Sequence, residues 1–299
     1  MENRTMTGIF PVLHIPYDPR GNVDDEGLRR ETDLNVDAGV DGVALAMGSS
    51  VVNLTETERD SVLSAVVDQV RGRVPVVMNT GAESTDVALH LSRKARDLGA
   101  EALMVWLPTY FPAELGSQID YFLTIANNVD LPIFIQDQPS SPCPPAMMVR
   151  LAEEHRNLCY AKVETPPTPD KVAELAELRT GPFPTIFGGY GGFFTLEEFR
   201  RGAVGTFPCA AIPEFYVRMW KLWQQGDEEG TEKEFRRCQG ILRTMQWVGA
   251  ARNGSVYREM LVLRGIAKSS FNRGPSTPLD SVHVGEIERE MERAGLVGG

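Results

Sequence analysis

The sequence predicts a (β/α)8 barrel with a C-terminal helical extension, and three observations carry that expectation. Short, near-continuous apolar runs alternate with helical patterns of ten to fifteen residues from residue 8 to about 215. The runs number eight. After residue 213 the pattern changes to helices alone. Strands that are apolar at every position are covered on both faces, and a helix between each pair makes the sheet parallel. Eight such units close into a barrel, with a doubly wound open sheet as the competing arrangement.

In chain order the runs are GIFPVLHI (8–15), GVALAM (42–47), VPVVMN (74–79), ALMVWL (102–107), PIFIQ (132–136), CYAKV (159–163), PTIFGG (184–189) and GAVGTF (202–207). Between them, DDEGLRRETDLNVDAG, TETERDSVLSAVVDQVRG and ESTDVALHLSRKARDLG open on acidic or hydroxyl residues and stop at glycine, as capped helices do. PEFYVRMWKLWQQG is the last barrel helix, which places a barrel domain at 1–225. The extension, 226–299, holds TEKEFRRCQGILRTMQWVGAARNG, VYREMLVLRGI and VGEIEREMERAG, with KSSFNRGPSTPLDS as a connecting loop.

Composition narrows the function. The chain has 299 residues, 42% hydrophobic and 24% charged, and a net charge of −11 with no offsetting basic cluster. Nucleic acid and anionic membrane are therefore not expected partners, whereas a small anionic substrate is compatible through a local pocket. Cys143, Cys159, Cys209 and Cys238 form no CxxC pair, and His14, His90, His155 and His283 show no HxxxH or HExxH spacing. Neither a disulfide framework nor a metal site is expected, and no cofactor. MENRTMTGIF lacks an apolar leader core, and no run reaches the roughly 18 apolar residues of a membrane span. A cytoplasmic location is expected.

In a barrel of this kind the active site lies at the C-terminal ends of the strands. Lys162, one of only six lysines among 30 basic residues, ends the sixth run, and Glu164 follows on the same side of the extended chain. An amine withdrawn from water is more readily kept neutral, the form that attacks a carbonyl to make a Schiff base. The competing reading is a solvated or ion-paired lysine. AMGSS (46–50) ends the second run, where Gly48 allows close backbone approach and the Ser49 and Ser50 hydroxyls can hold a carboxylate. It also reads as a plain turn.

LPTYFP (107–112) presents Tyr110 as a proton donor or a pocket wall. IQDQPSSPCPP (135–145) presents Gln136 and Asp137, either facing substrate or bracing the proline-rich loop. FGGYGGFF (187–194) lacks the lysine and the spacing of a phosphate loop, so Gly188 and Gly189 read as a place where substrate approaches backbone.

Taken in order, GIFPVLHIPYDPRGNVD, AGVDGVALAMGSS, LTETER, LPTYFP, IQDQP and YAKVE resemble the family of dihydrodipicolinate synthase and N-acetylneuraminate lyase. The resemblance spans almost the whole chain. It implies a class I Schiff-base enzyme acting on a 2-oxo acid, a homotetramer or dimer, and Lys162 as the Schiff-base lysine. Gly48, Ser49 and Ser50 fall at the family's Gly-Thr-Thr carboxylate site, and Tyr110 in its fourth-strand aromatic motif. Gly188 and Gly189 would line the pocket opposite.

Two departures bear on the reaction. Gln136-Asp137-Gln138-Pro139 stands where a Tyr-Asn-Val-Pro type motif is usual, so the usual tyrosine proton shuttle is missing. The arginine that follows that motif in the synthases is also absent, with Ser141 near its place, and GSSVVN lacks the glutamate that follows Gly-Thr-Thr. Dihydrodipicolinate synthesis is therefore not expected. IQDQP, KVETPP, FGGYGG and LEEFRRGAVGT instead look like the branch containing L-2-keto-3-deoxyarabonate dehydratase, although FPCAAIP is apolar for a site that takes a polyhydroxylated acid. The expected reaction is dehydration of a 2-keto-3-deoxy sugar acid or related substrate through a Lys162 imine and enamine, with Glu164 as base. The alternatives are a pyruvate-dependent aldolase using the same lysine and a non-catalytic 2-oxo acid binding barrel.

Overall fold

Each of the eight apolar runs contains a strand. In the computed structural model, which describes residues 5–110, 113–247 and 250–298, these are β1 (Gly8–Ile9), β2 (Val43–Leu45), β3 (Val76–Asn79), β4 (Ala102–Trp106), β5 (Ile133–Gln136), β6 (Tyr160–Val163), β7 (Thr185–Gly191) and β8 (Gly205–Pro208). They form one sheet in the order β1-β8-β7-β6-β5-β4-β3-β2. The helices α1 (Asp25–Ala38), α2 (Glu56–Val70), α3 (Thr85–Asp97), α4 (Leu115–Asn128), α5 (Pro145–Glu154), α6 (Thr168–Leu178), α7 (Thr195–Phe199) and α8 (Pro213–Gln224) alternate with the strands. The fold is the expected (β/α)8 type, followed by α9 (Glu228–Trp247), α10 (Ala250–Leu263) and α11 (Ser281–Arg293).

The boundaries differ from the sequence reading for local reasons. The first run breaks at Pro11, which has no N–H to give to a ladder, and pairing resumes at Val12, bridged to Ala44 and Cys209. The eighth strand starts at Gly205 rather than 202 because Gly202 takes a left-handed φ of +100° at the end of α7. β7 runs on to Gly191 through an irregularity between Gly188 and Gly191. The pattern TEKEFRRCQGILRTMQWVGAARNG is divided between α9 and α10, and its residues 248 and 249 lie outside the described residues.

The chain divides into two compact units, Met1–Phe10 with Pro75–Pro208 and Pro11–Val74 with Cys209–Gly299. The first is packed around an aromatic cluster from successive strands. Phe10 meets Phe187 edge-on at 5.5 Å, Phe134 meets Phe207 edge-on at 5.1 Å, and Phe134 stacks on Tyr160 at 4.5 Å. Edge-to-face pairs of this kind add about 0.5–1.5 kcal/mol each beyond their burial. The Tyr160 hydroxyl accepts the Met6 N–H at 2.8 Å, so its polar end is satisfied as well.

In the second unit the helix ends are capped as the sequence suggests. Asp24 caps α1, Thr55 and Glu58 form a reciprocal capping box on α2, and Asp280 caps α11. The loop before α11 is tied down by charge: Arg273 pairs with Glu58 at 2.5 Å and donates to the Gly21 carbonyl, and Lys268 pairs with Glu26. Among the described residues, no helix is long and apolar enough to cross a membrane.

Gly205 sets a limit on the first unit. A Cβ there would lie 2.3 Å from the Phe187 ring and 2.5 Å from the Gly8 carbonyl oxygen, and that backbone is held in the β1–β8 ladder. Gly205→Ala is expected to destabilise the chain by about 1–3 kcal/mol through overpacking. The urea midpoint measures this, and an unchanged midpoint would refute it.

Candidate active site

Parallel register brings the polar strand ends together. Trp106 on β4 pairs with Gln136 on β5, and Gln136 pairs with Lys162 on β6. Residues paired in register point to the same face of the sheet, so three side chains near the ends of three apolar runs stand level with one another.

Lys162 is 2% exposed. Its Nζ lies 3.0 Å from Glu164 Oε2 and 5.1 Å from the centroid of the Phe207 ring. Glu164 Oε2 also accepts from Gln136 Nε2 at 2.6 Å, and Oε1 accepts the Tyr190 backbone N–H at 3.1 Å. Gln136 Oε1 accepts from Asn79 Nδ2 at 2.8 Å, and Asn79 Oδ1 accepts from Trp106 Nε1 at 3.2 Å. The donors therefore run in one direction, from the indole through two amides to the carboxylate beside the lysine. Asn79 and Trp106 were missed by the sequence reading, although Asn79 closes an apolar run as Gln136 does; Trp106 lies within its run, one residue before Leu107.

The glycines of FGGYGGFF have a definite task. A Cβ on Gly189 would sit 2.4 Å from Glu164 Cγ, and one on Gly188 would sit 1.7 Å from Glu198 Oε2. Both positions make room for carboxylates of the chain itself. Tyr190 takes a left-handed φ of +50°, the conformation in which its N–H bonds Glu164. Glu198, on α7, was also missed. It is fully buried, Oε1 accepts from Thr168 Oγ1 at 2.5 Å, and Oε2 has no hydrogen-bond partner among the described residues. Burial first, then the charges of Glu197 and Glu164, push its carboxyl up to about 8.

Asp137 braces loops. Its Oδ1 accepts from the Cys143 N–H, the Thr165 hydroxyl and Lys171 Nζ, and its Oδ2 from the N–H groups of Glu164 and Thr165. This ties the segment after β5 to the segment after β6 and fixes the backbone that carries Glu164. Of the two readings left open for this residue, the brace is the one these bonds describe. Tyr110 is 76% exposed, with its backbone N–H held by Glu83. Phe111 and Pro112 of the same motif lie outside the described residues.

In the second unit, Met47–Ser49 form a 3-10 turn and Ser50 follows with a left-handed φ of +65°. Ser49 Oγ accepts the Ala46 N–H at 2.9 Å, and the Gly48 carbonyl bonds His14 Nδ1 at 3.1 Å. Ser50 Oγ meets Arg258 Nη2 at 3.4 Å. The turn is thus held at all three residues. Among the described residues, no three or more His, Cys, Asp or Glu side chains converge as metal ligands would.

The buried lysine and its carboxylate partner thus stand at the C-terminal strand ends of a parallel (β/α)8 fold, the end at which such barrels carry their active sites. Comparison with known proteins places the chain within a family. The sequence model of the dihydrodipicolinate synthetase family matches residues 5–294, and the chain belongs to that family. It is 30% identical over 226 residues to L-2-keto-3-deoxyarabonate dehydratase of Azospirillum brasilense, covering 73% of each chain. It is 34% identical over 230 residues to 4-hydroxy-tetrahydrodipicolinate synthase of Methanopyrus kandleri, covering 74% of this chain and 75% of that one. YagE of Escherichia coli K12, provisionally named a 2-dehydro-3-deoxy-D-gluconate aldolase, is 27% identical over 99% of both chains. The crystal structure of YagE in complex with pyruvate matches with a TM-score of 0.90 at 25% identity, covering 97% of this chain and 99% of that one.

Glu198 makes the stability of the fold depend on pH. Its folded value of about 8 exceeds the ordinary 4.5, so between those values the folded chain binds more protons than the unfolded one. Stability therefore falls as pH rises from about 4.5 to about 8. Glu198→Gln, which cannot ionise, is expected to remove this part of the fall and to gain on the order of 1 kcal/mol or more on wild type at pH 8 relative to pH 5. Urea unfolding at the two pH values decides it, and an equal pH dependence in both proteins would exclude the effect.

Proposed function

We propose that this chain is a Schiff-base lyase that dehydrates a 2-keto-3-deoxy sugar acid or a related 2-oxo acid. The observation that carries the reading is the 3.0 Å pairing of buried Lys162 with Glu164. Glu164 takes a proton from the lysine, and the freed amine attacks the C2 ketone. Loss of water leaves an iminium, an electron sink that acidifies the C3 protons. Glu164 then removes one C3 proton, and the enamine expels the C4 hydroxyl as water to leave a C3=C4 double bond. In a substrate with a C5 hydroxyl, a proton shift from C5 to C3 gives an enol that becomes the second carbonyl, and hydrolysis of the imine returns Lys162.

The family resemblance assigns the substrate carboxylate to Gly48, Ser49 and Ser50, and the pocket wall to Gly188 and Gly189. Gln136 orients Glu164 in this scheme, and Asp137 holds the loop behind it. The proton steps fall to Glu164 rather than to Tyr110, whose ring stands largely in solvent. The similarity to the Azospirillum brasilense dehydratase supports dehydration over carbon–carbon cleavage, as does the missing strand-five tyrosine. The second reading, a pyruvate-dependent aldolase with the same lysine, draws on the similarity to YagE, whose structure holds pyruvate.

Borohydride reduction in the presence of pyruvate, read by intact mass and peptide mapping, should leave a stable adduct on Lys162 and none in Lys162→Ala. Absence of an adduct in folded wild-type protein would favour a binding barrel that forms no imine. With a 2-keto-3-deoxy sugar acid, a dioxo acid with the carbon skeleton intact is expected. Free pyruvate plus an aldehyde would instead establish the aldolase.

Glu164→Gln should lower turnover by about 10²–10⁴ and slow pyruvate trapping on Lys162 as well, since the same carboxylate frees the amine. Turnover within about twofold of wild type, well short of the contribution of a general base, would remove Glu164 from the proton steps.

A further inference from the structure

A cation with no ion-pair partner among the described residues lies behind the Gly48–Ser50 turn. Arg258, on α10, is 0% exposed. Its Nε donates to the Ile15 carbonyl at 2.8 Å, its Nη1 to the Gly254 carbonyl and to Asn272 Oδ1, both at 2.9 Å, and its Nη2 to Ser50 Oγ at 3.4 Å. The guanidinium also lies 4.8 Å from the centroid of the Tyr17 ring. Every acceptor is neutral, and among the described residues Arg258 makes no ion pair. Arg273 faces the same ring at 4.7 Å but is paired with Glu58.

The surrounding titratable groups do not supply the missing charge. Glu31 gives one oxygen to the His14 N–H and has no partner for the other among the described residues, and burial pushes its carboxyl up to about 8, towards the protonated form. His14 is driven down to about 3 by burial, opposed by its bond to Gly48 and reinforced by the charge of Arg258. It is therefore neutral too, and stacks at 4.0 Å on Tyr257, the residue before Arg258. A buried charge without a counter-charge is costly. Space around the guanidinium is tight: a Cβ on Gly254 would lie 2.9 Å from Arg258 Nη1 and 2.8 Å from Asn272 Nδ2.

We propose that Arg258 is a positioning residue for carboxylate recognition: its donation to Ser50 Oγ turns the Ser50 O–H towards the bound anion, whose negative charge completes the buried guanidinium. The inference rests on the assignment of the substrate carboxylate to the Gly48–Ser50 turn made above. It brings the C-terminal extension into substrate binding through a side chain that need not touch substrate. It also accounts for a serine held at φ +65°, a conformation with a cost of order 1 kcal/mol unless neighbours over-determine it.

The test compares a charged ketone with a neutral one by borohydride trapping on Lys162, using pyruvate and methyl pyruvate. Wild-type protein that traps neither ketone would remove the lyase reading itself, before any variant is made. Given trapping, Arg258→Met is expected to raise the half-saturating pyruvate concentration at least about tenfold, equivalent to about 1.4 kcal/mol. The half-saturating concentration of methyl pyruvate should stay unchanged, and Arg258→Lys should recover part of the loss. A structural role alone would shift both ketones together, and that outcome, or no shift for pyruvate, overturns the proposal. If Arg258→Met does not fold, Arg258→Lys, which keeps the charge but loses the Nη2 donation to Ser50, should raise the pyruvate value alone, and equal shifts for the two ketones, or no shift for pyruvate, would again overturn it.

Discussion

The ammonium of Lys162 and the carboxylate of Glu164 are withdrawn from water together, and the strand ends are organised around what that withdrawal costs. Desolvating such a pair costs several kcal/mol per ion, offset only when the remaining donor and acceptor positions are filled. Phe207 supplies an aromatic face to the ammonium. Gln136 and the Tyr190 N–H fill the remaining positions on the carboxylate. Gln136 then needs a donor for its own oxygen, which Asn79 supplies, and Asn79 needs one in turn, which Trp106 supplies. One ion pair thus dictates the polar residues that end three further strands.

The same constraint explains two neighbouring glycines on β7. Bulk at Gly189 would displace Glu164, and bulk at Gly188 would displace Glu198. These two carboxyls behave differently because their surroundings differ. Glu164 is bonded to an ammonium, an amide and a backbone N–H. Glu198 has a single hydroxyl on one oxygen and nothing on the other, in full burial, so it keeps its proton to about 8. Its protonation limits the negative charge around Glu164 at neutral pH.

The strands were legible because a parallel sheet covered on both faces leaves uninterrupted apolar runs, and the helices because they begin on Asp, Thr or Ser caps. Lys162, Glu164 and Gln136 were legible as polar residues closing such runs. Which of them meet was not, because register is a property of pairing between strands and leaves no mark within any one of them. Asn79 carried the same signal as Gln136, whereas Trp106 lies inside its run, and both needed the Trp106–Gln136–Lys162 alignment to be recognised. A glycine doublet announces a close approach without naming what approaches. Arg258 had no signal at all: an arginine in an amphipathic helix reads as solvated, and its partner Ile15 is 243 residues away in sequence.

The substitution on strand five has a chemical consequence within the proposed mechanism. A tyrosine in that position would give the site a second group able to carry a proton. Gln136 cannot do so, and its amide is committed to orienting Glu164. The proton traffic then passes through one carboxylate, which is sufficient for dehydration: the proton taken from C3 can be returned to the departing C4 hydroxyl, so that elimination needs one base that becomes an acid. Aldol cleavage makes a different first demand, because a base must take the proton of the C4 hydroxyl as the C3–C4 bond breaks, and the enamine is protonated at C3 only after the aldehyde has left. Within the proposed mechanism the two reactions therefore differ in which proton Glu164 reaches first, one on C3 for elimination or the one on the C4 hydroxyl for cleavage.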